Sequence, residues 1–296
     1  MKADTEAQRF YGARTVRPAA PSEVLGGKIV KINPALITIT DGLVGAAPPG
    51  FLRRRVREQV RELLESEKVC TFHLDVNYAD YGGFGRDKPD INTSVFTPDF
   101  VAELSAQALS RDAFINLHLL TDHPGRRLRE FEGTGVGAVC LQAEVIESAR
   151  QLEELVEQIL GLGACASPVI ETVGSENFVP PPVEDVLAFL EPVLPRVGML
   201  TVQAAGTTSR SNLPAGIFDR ERVRSYLETI SRRFEGTIQL QGGIRTETVA
   251  EATRLGAEFL VCGTEIFRNR DGLRALEVID LMLEEAARGL AGGEHL

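Results

Sequence analysis

The stretch Thr71-Phe72-His73-Leu74-Asp75-Val76-Asn77 decides how this chain is read. Side chains of a strand alternate between its two faces, so Phe72, Leu74 and Val76 fall on one side and His73 and Asp75 on the other. An imidazole and a carboxylate then point the same way, two residues apart. A second apolar strand, Phe114-Ile115-Asn116-Leu117-His118-Leu119, carries one more His near its end. The chain has four His in all, and two of them fall in these strands, with Asp75 placed as neighbouring strands would place it. Imidazole and carboxylate gathered in one cluster are the donors of a metal site, so His73, Asp75 and His118 are candidate ligands of a divalent cation.

Outward from these strands the chain alternates between two periodicities. Before them lie an apolar run from Lys28 to Leu36 and a helical repeat from about Phe51 to Ser66, in which Val56, Val60, Leu63 and Leu64 recur at helical spacing. After Asn77 comes a long loop, Tyr78 to Phe96, rich in Gly, Asp and Asn, in which Tyr78 and Phe84 are candidates for a lid. Thr97-Pro98 opens a helix from about Asp99 to Ser110. His118 is followed by a short helix after His123-Pro124-Gly125 and by further strands at Val136 to Leu141, Gly163 to Val169, Val197 to Gln203, Thr237 to Gln241 and Glu258 to Cys262. Helical stretches separate them, at about Ser148 to Leu160, Val183 to Leu190, Arg220 to Arg233 and Thr246 to Leu255, and a last one follows Asp271. Eight strands alternating with eight helices call for a single-domain (β/α)₈ TIM barrel over residues 28–290, with residues 1–27 as a flexible N-terminal extension. A doubly wound open sheet is the competing architecture, and the absence of a G-x-G-x-x-G turn after the first strand argues against it. In a barrel, functional groups gather at the C-terminal ends of the strands, where His73, Asp75 and His118 lie.

Composition narrows the partners. A net charge of −10 and a pI near 5.1 argue against nucleic acid, whose binding rests on clustered Lys and Arg. Cys70, Cys140, Cys165 and Cys262 lie in or beside apolar runs without C-x-x-C spacing, as buried thiols of a reducing cytoplasm would. No apolar stretch approaches the length of a membrane span, so a cytoplasmic protein without membrane contact is expected.

The last two strands end in Gln241-Gly242-Gly243-Ile244-Arg245 and Cys262-Gly263-Thr264-Glu265-Ile266-Phe267. Glycine lets backbone N–H groups approach an anion, and the helices that open there add their positive ends. Tight strand-to-helix turns also need Gly for their own sake, but the pair of loops falls where barrels often hold a substrate phosphate. Gly242, Gly243, Gly263 and Thr264 are therefore the candidate phosphate cradle.

With these residues in hand, the chain resembles the ribulose-phosphate 3-epimerase family of TIM barrels over about Ile29 to Phe267. Asn33-Pro34-Ala35-Leu36 looks like its first strand, Phe72-His73-Leu74-Asp75-Val76 its His-x-Asp-Val strand, and Asn116-Leu117-His118-Leu119 its His-Leu strand. Gly242-Gly243-Ile244 and Leu260-Val261-Cys262-Gly263-Thr264-Glu265-Ile266-Phe267 are similar to its closing phosphate motif. The resemblance implies a divalent metal (Zn, Mn, Fe or Co) held by His, Asp, His and a second Asp. It also implies a phosphorylated ketose as substrate, of the pentose phosphate kind, with the two carboxylates as acid and base on opposite faces.

Several departures go with it. Gln241 stands where the family has its second Asp; an amide oxygen can ligate a metal but cannot take a proton from carbon. The family's first-strand Ser is Ala35, its fourth-strand His is Gln142, and its glycine-rich loop after strand six is Gln203 to Arg210. The expectation is a metal-dependent epimerase acting at C3 of a ketose phosphate through an enediolate. Asp75 is the base, His73, Asp75, His118 and Gln241 hold the metal, and Asn33, Gln142, Glu144, Glu171, Gln203 and Arg210 are candidate substrate contacts. Glu144 or Glu171 would fill the gap left by the second Asp, and Arg210 or Arg245 would pair with phosphate or with surface acids. A one-base isomerase or aldolase, or a barrel that binds sugar phosphate without catalysis, are the alternatives that Gln241 raises. Barrels of this kind often pair, so a homo-oligomer is a further expectation.

Overall fold

The structure is a computed structural model, and it describes residues 24–25, 28–82, 91–173, 179–204, 220–269 and 271–291. Eight parallel strands form the barrel: β1 Lys31–Pro34, β2 Thr71–Asn77, β3 Phe114–Leu120, β4 Ala138–Gln142, β5 Cys165–Glu171, β6 Met199–Gln203, β7 Thr237–Gln241 and β8 Phe259–Cys262. Each pairs with the next in sequence from β2 to β8, and β8 pairs with β1. The cylinder is closed between β1 and β2 by a single bridge, Ala35 with His73, where the Leu36 N–H reaches the His73 carbonyl at 2.9 Å. The main helices are α1 Pro49–Glu65, α2 Pro98–Leu109, α3 Pro124–Glu130, α4 Ala149–Gly161, α5 Val183–Leu190, α6 Arg220–Arg233, α7 Thr246–Arg254 and α8 Ala275–Ala291. Before β1, Val24–Leu25 pairs antiparallel with Lys28–Ile29. Most of the expected N-terminal extension, and with it Phe84 and Arg210, lies outside the described residues.

Two compartments follow from strand alternation. The outward residues of β2, Phe72, Leu74 and Val76, are fully buried beneath the helices. There they meet stripes such as Leu52, Val56, Val60 and Leu63 of α1, spaced to share one helical face, each burial contributing roughly 1.5–3 kcal/mol.

The inward residues stack in levels along the barrel axis. At the N-terminal end an apolar plug contains Ala138, Cys165 and Met199, with Phe114 packed against it and its ring 6.4 Å from that of Phe259. Above it, where barrels are usually filled by branched aliphatics, the level is polar. Gln239 Oε1 accepts from Asn33 Nδ2 (3.1 Å) and Asn116 Nδ2 (2.6 Å), and Gln239 Nε2 donates to Thr201 Oγ1 (3.1 Å). Ser167 and Thr201 share a 2.7 Å bond, and the Cys140 thiol donates to Asn116 Oδ1 at 3.0 Å. Asn33, Asn116, Gln239, Thr201, Ser167 and Cys140 are all fully buried, which is tolerable because each finds a partner. Burial pushes the Cys140 thiol up to about 12, against the hydrogen bonds of Thr201 and Ser167. The third level, at the C-terminal mouth, holds the candidate site.

Candidate active site at the mouth of the barrel

The parallel register sets Asp75 of β2 directly beside His118 of β3, with His73 one inward step below Asp75. Asp75 Oδ1 lies 2.9 Å from His118 Nδ1 and 3.2 Å from His73 Nε2, and the two imidazole centroids are 5.4 Å apart. One ligand atom from each of the three residues falls within 4.8 Å of the others, a spacing that could hold one cation. Both imidazoles are buried, while the Asp75 side chain keeps 16 % of its surface open to the mouth. Burial alone would raise the Asp75 pKa. The charge of His73 and the hydrogen bonds of both imidazoles outweigh it and hold the carboxyl well below the usual carboxylate range.

The rest of the cluster fits a cation as well. His73 Nδ1 and Gln241 Oε1 are buried and have no hydrogen-bond partner among the described residues. A buried acceptor left unmatched costs free energy, and an amide oxygen facing a cation would recover it. Gln241 Nε2 is engaged, donating to Gln203 Oε1 on the neighbouring strand.

Behind these three side chains stands a supporting layer. Gln142 Oε1 lies 3.3 Å from His118 Nε2, and Gln142 Nε2 reaches Tyr81 Oη (2.8 Å) and Glu144 Oε1 (3.0 Å). Asn92, fully buried, clips the end of β2: its Nδ2 donates to the Asp75 carbonyl and its Oδ1 accepts from the Asn77 N–H, both at 2.9 Å. Neither Tyr81 nor Asn92 was visible as a site residue in the sequence. Asn92 left a faint trace, as an Asn in an Asp- and Asn-rich loop next to the site.

The remaining sequence candidates scatter around this centre. Asn33 lies in the closed polar level below, bonded to Gln239. Glu144 opens a short turn after β4, and Glu171 ends β5, 4 % exposed, with its Oε1 accepting the Val173 N–H at 2.9 Å. Both border a cavity of about 240 Å³ whose other wall includes Ile146, Ile170, Val186 and Phe189. Tyr78 is packed, with Arg127 4.1 Å above its ring and its hydroxyl donating to Glu130. Arg245 is exposed at the start of α7.

The glycine loops have the geometry that close backbone approach demands. Gly242 and Gly243 take φ of +89° and +70°, the left-handed region that favours glycine. At Gly263 a Cβ would fall 2.0 Å from Thr38 Oγ1, so the loop after β8 can press against the loop after β1 only without a side chain. Thr246 Oγ1 donates to Glu265 Oε1 at 3.3 Å, tying the two glycine loops together, and Thr264 is exposed at the start of its short helix.

Comparison with known proteins agrees with this architecture. Residues 52–267 match the model of the "Ribulose-phosphate 3 epimerase family". A ribulose-phosphate 3-epimerase of Candida glabrata is 25% identical over 186 residues, 63% of this chain and 67% of that protein. One of Chlamydia muridarum is 23% identical over 222 residues, 75% of this chain and 86% of that protein. Among solved structures, an N-acetylneuraminic acid synthetase of Leptospira borgpetersenii superposes with a TM-score of 0.58 at 14% identity, over 92% of this chain and 90% of that one, a likeness of fold. Among the described residues no helix is long and apolar enough to cross a membrane. A barrel that carries an Asp between two His at its mouth, and whose match to the family model spans most of its length, belongs to the ribulose-phosphate 3-epimerase family.

Proposed function

We propose that this chain is a metal-dependent epimerase acting at C3 of a phosphorylated ketose. The observation that carries the reading is the convergence of His73, Asp75 and His118 at the mouth of a barrel of this family. His73, Asp75, His118 and the oxygen of Gln241 would hold the divalent cation. When bound, it polarises the ketone and stabilises the oxygens of the enediolate. Backbone N–H groups at Gly242, Gly243, Gly263 and Thr264 anchor the phosphate and so fix which carbon faces Asp75. Asp75, ionised, takes the proton from the carbon beside the carbonyl.

Inversion needs a second acid, and Gln241 cannot be one. Glu144 bonds to Tyr81 and Gln142 beyond the end of β4, and Glu171, whose Oε1 accepts the Val173 N–H, sits on the inward face of β5 in one register row with Gln203 and Gln241. Counted around the cylinder, β5 lies three staves from β2 on one side and β7 three staves on the other. Glu171 therefore mirrors the position of Gln241 about the Asp75 strand, and it is our choice for the opposing acid.

The test is proton exchange. The full chain with Mn²⁺ and ribulose phosphate in D₂O should incorporate one deuterium at C3, with inversion, seen by ¹H NMR. Asp75→Asn should slow incorporation about 10²–10⁴-fold. Gln241 favours a second reading, one-base isomerisation or aldol cleavage: labelling with movement of the carbonyl, or cleavage of the carbon chain, would select it. No labelling of any ketose phosphate tried would leave a non-catalytic binder of sugar phosphate.

A further inference from the structure

We infer that Gln142 is a positioning residue for His118, held in a single orientation by Tyr81 and Glu144. His118 meets its surroundings through both ring nitrogens, Nδ1 towards Asp75 at 2.9 Å and Nε2 towards the Gln142 side chain at 3.3 Å. An amide could turn either end to an imidazole; what lies beyond it decides which. Gln142 Nε2 is 2.8 Å from Tyr81 Oη and 3.0 Å from Glu144 Oε1, and Tyr81 Oη is 3.0 Å from that same carboxylate oxygen. A carboxylate only accepts, so the Tyr81 proton goes to Glu144, and both amide hydrogens of Gln142 are spent on Tyr81 and Glu144. Turning the amide over would set its oxygen against the Glu144 carboxylate, which has no hydrogen to offer it. The Gln142 oxygen is thereby forced onto His118 Nε2, which must carry hydrogen. Nδ1, hydrogen-bonded to Asp75 here, is the ring atom that would face a bound cation.

Tyr81 is fully buried and Gln142 and His118 are each 1 % exposed, while Glu144 is half-buried at the cavity's edge. The members of this chain of contacts come from four separate places: β3, the loop after β2, the end of β4 and the turn that follows β4. Tyr81 is itself tethered, through the Gly82 N–H, which donates to Asp122 Oδ2 at 2.9 Å. Partners that orient a metal-binding imidazole through its other nitrogen fix both its tautomer and its direction. The loop after β2 therefore reaches the ligand set through the far side of His118.

The inference rests on the reading of His118 as a cation ligand, so its test uses the metal alone. Co²⁺ binding to the full chain, followed by calorimetry and by the visible spectrum of the bound ion, should weaken about 10–100-fold in Gln142→Leu. Tyr81→Phe keeps the buried ring and removes only the hydroxyl; it should weaken binding about tenfold with the fold intact by circular dichroism. Wild-type affinity and spectrum in both variants, with His118→Ala abolishing binding, would overturn the inference and leave the cation site standing. Co²⁺ binding unaffected even by His118→Ala would remove the site and the inference together.

Discussion

At the scale of single residues, the site is a contest between what the family's chemistry requires and what this chain supplies. Gln241 stands on β7 where a second carboxylate was expected, and its neutral oxygen is buried without a partner among the described residues. Gln241→Asp should tighten divalent-cation binding about tenfold, equivalent to about 1.4 kcal/mol, measured by calorimetry with Mn²⁺. It should also raise the rate of deuterium incorporation at C3 if the missing carboxylate is what limits inversion. The convergence of His73, Asp75 and His118 was legible in the sequence because alternation alone puts His73 and Asp75 on one face, and because His is rare enough here for His118 to stand out. Gln142 and Tyr81 were not legible as supports. Glutamine in a strand carries no signature, and the tyrosine that orients it arrives from a loop 61 residues away in sequence.

At the scale of elements, the first turn after β2 is held against α3 by charge. Arg127 donates to Asp80 Oδ2 (2.8 Å) and Glu130 Oε1 (2.7 Å), and Thr121 Oγ1 donates to Asp80 Oδ1 at 2.7 Å. Burial would raise the Asp80 pKa, but the Thr121 hydroxyl and the Arg127 guanidinium prevail and lower it. A carboxyl whose folded pKa lies below its unfolded value of about 3.9 adds stability that is complete above that value and disappears as pH falls through the folded one. Urea unfolding of Asp80→Asn should therefore show a shallower loss of stability below about pH 4 than the parent chain. Element positions themselves were nearly all readable, since each strand is a short apolar run and each helix has a 3.6-residue stripe. Their ends moved by a few residues, as at β1, which begins at Lys31 rather than Lys28 because Lys28 and Ile29 pair antiparallel with Val24 and Leu25.

At the scale of the whole molecule, the barrel carries a buried polar level between its apolar plug and its mouth, where branched aliphatics are usual. That polar middle level could not be anticipated. Asn33 and Gln239 are 206 residues apart, and nothing local to either announces that closing the cylinder will bring their amides to 3.1 Å. Gln239→Leu would strip an acceptor from Asn33 and Asn116 together. At about 1–3 kcal/mol for each buried donor left unmatched, a loss of about 2–6 kcal/mol is expected in urea-melt stability. The one-bridge junction of Ala35 with His73 carries a last implication. The wall is fastened most thinly at the stave that carries His73, so a cation gripping His73 would also tighten a hoop around the seam, and filling the mouth and sealing the cask would become one act.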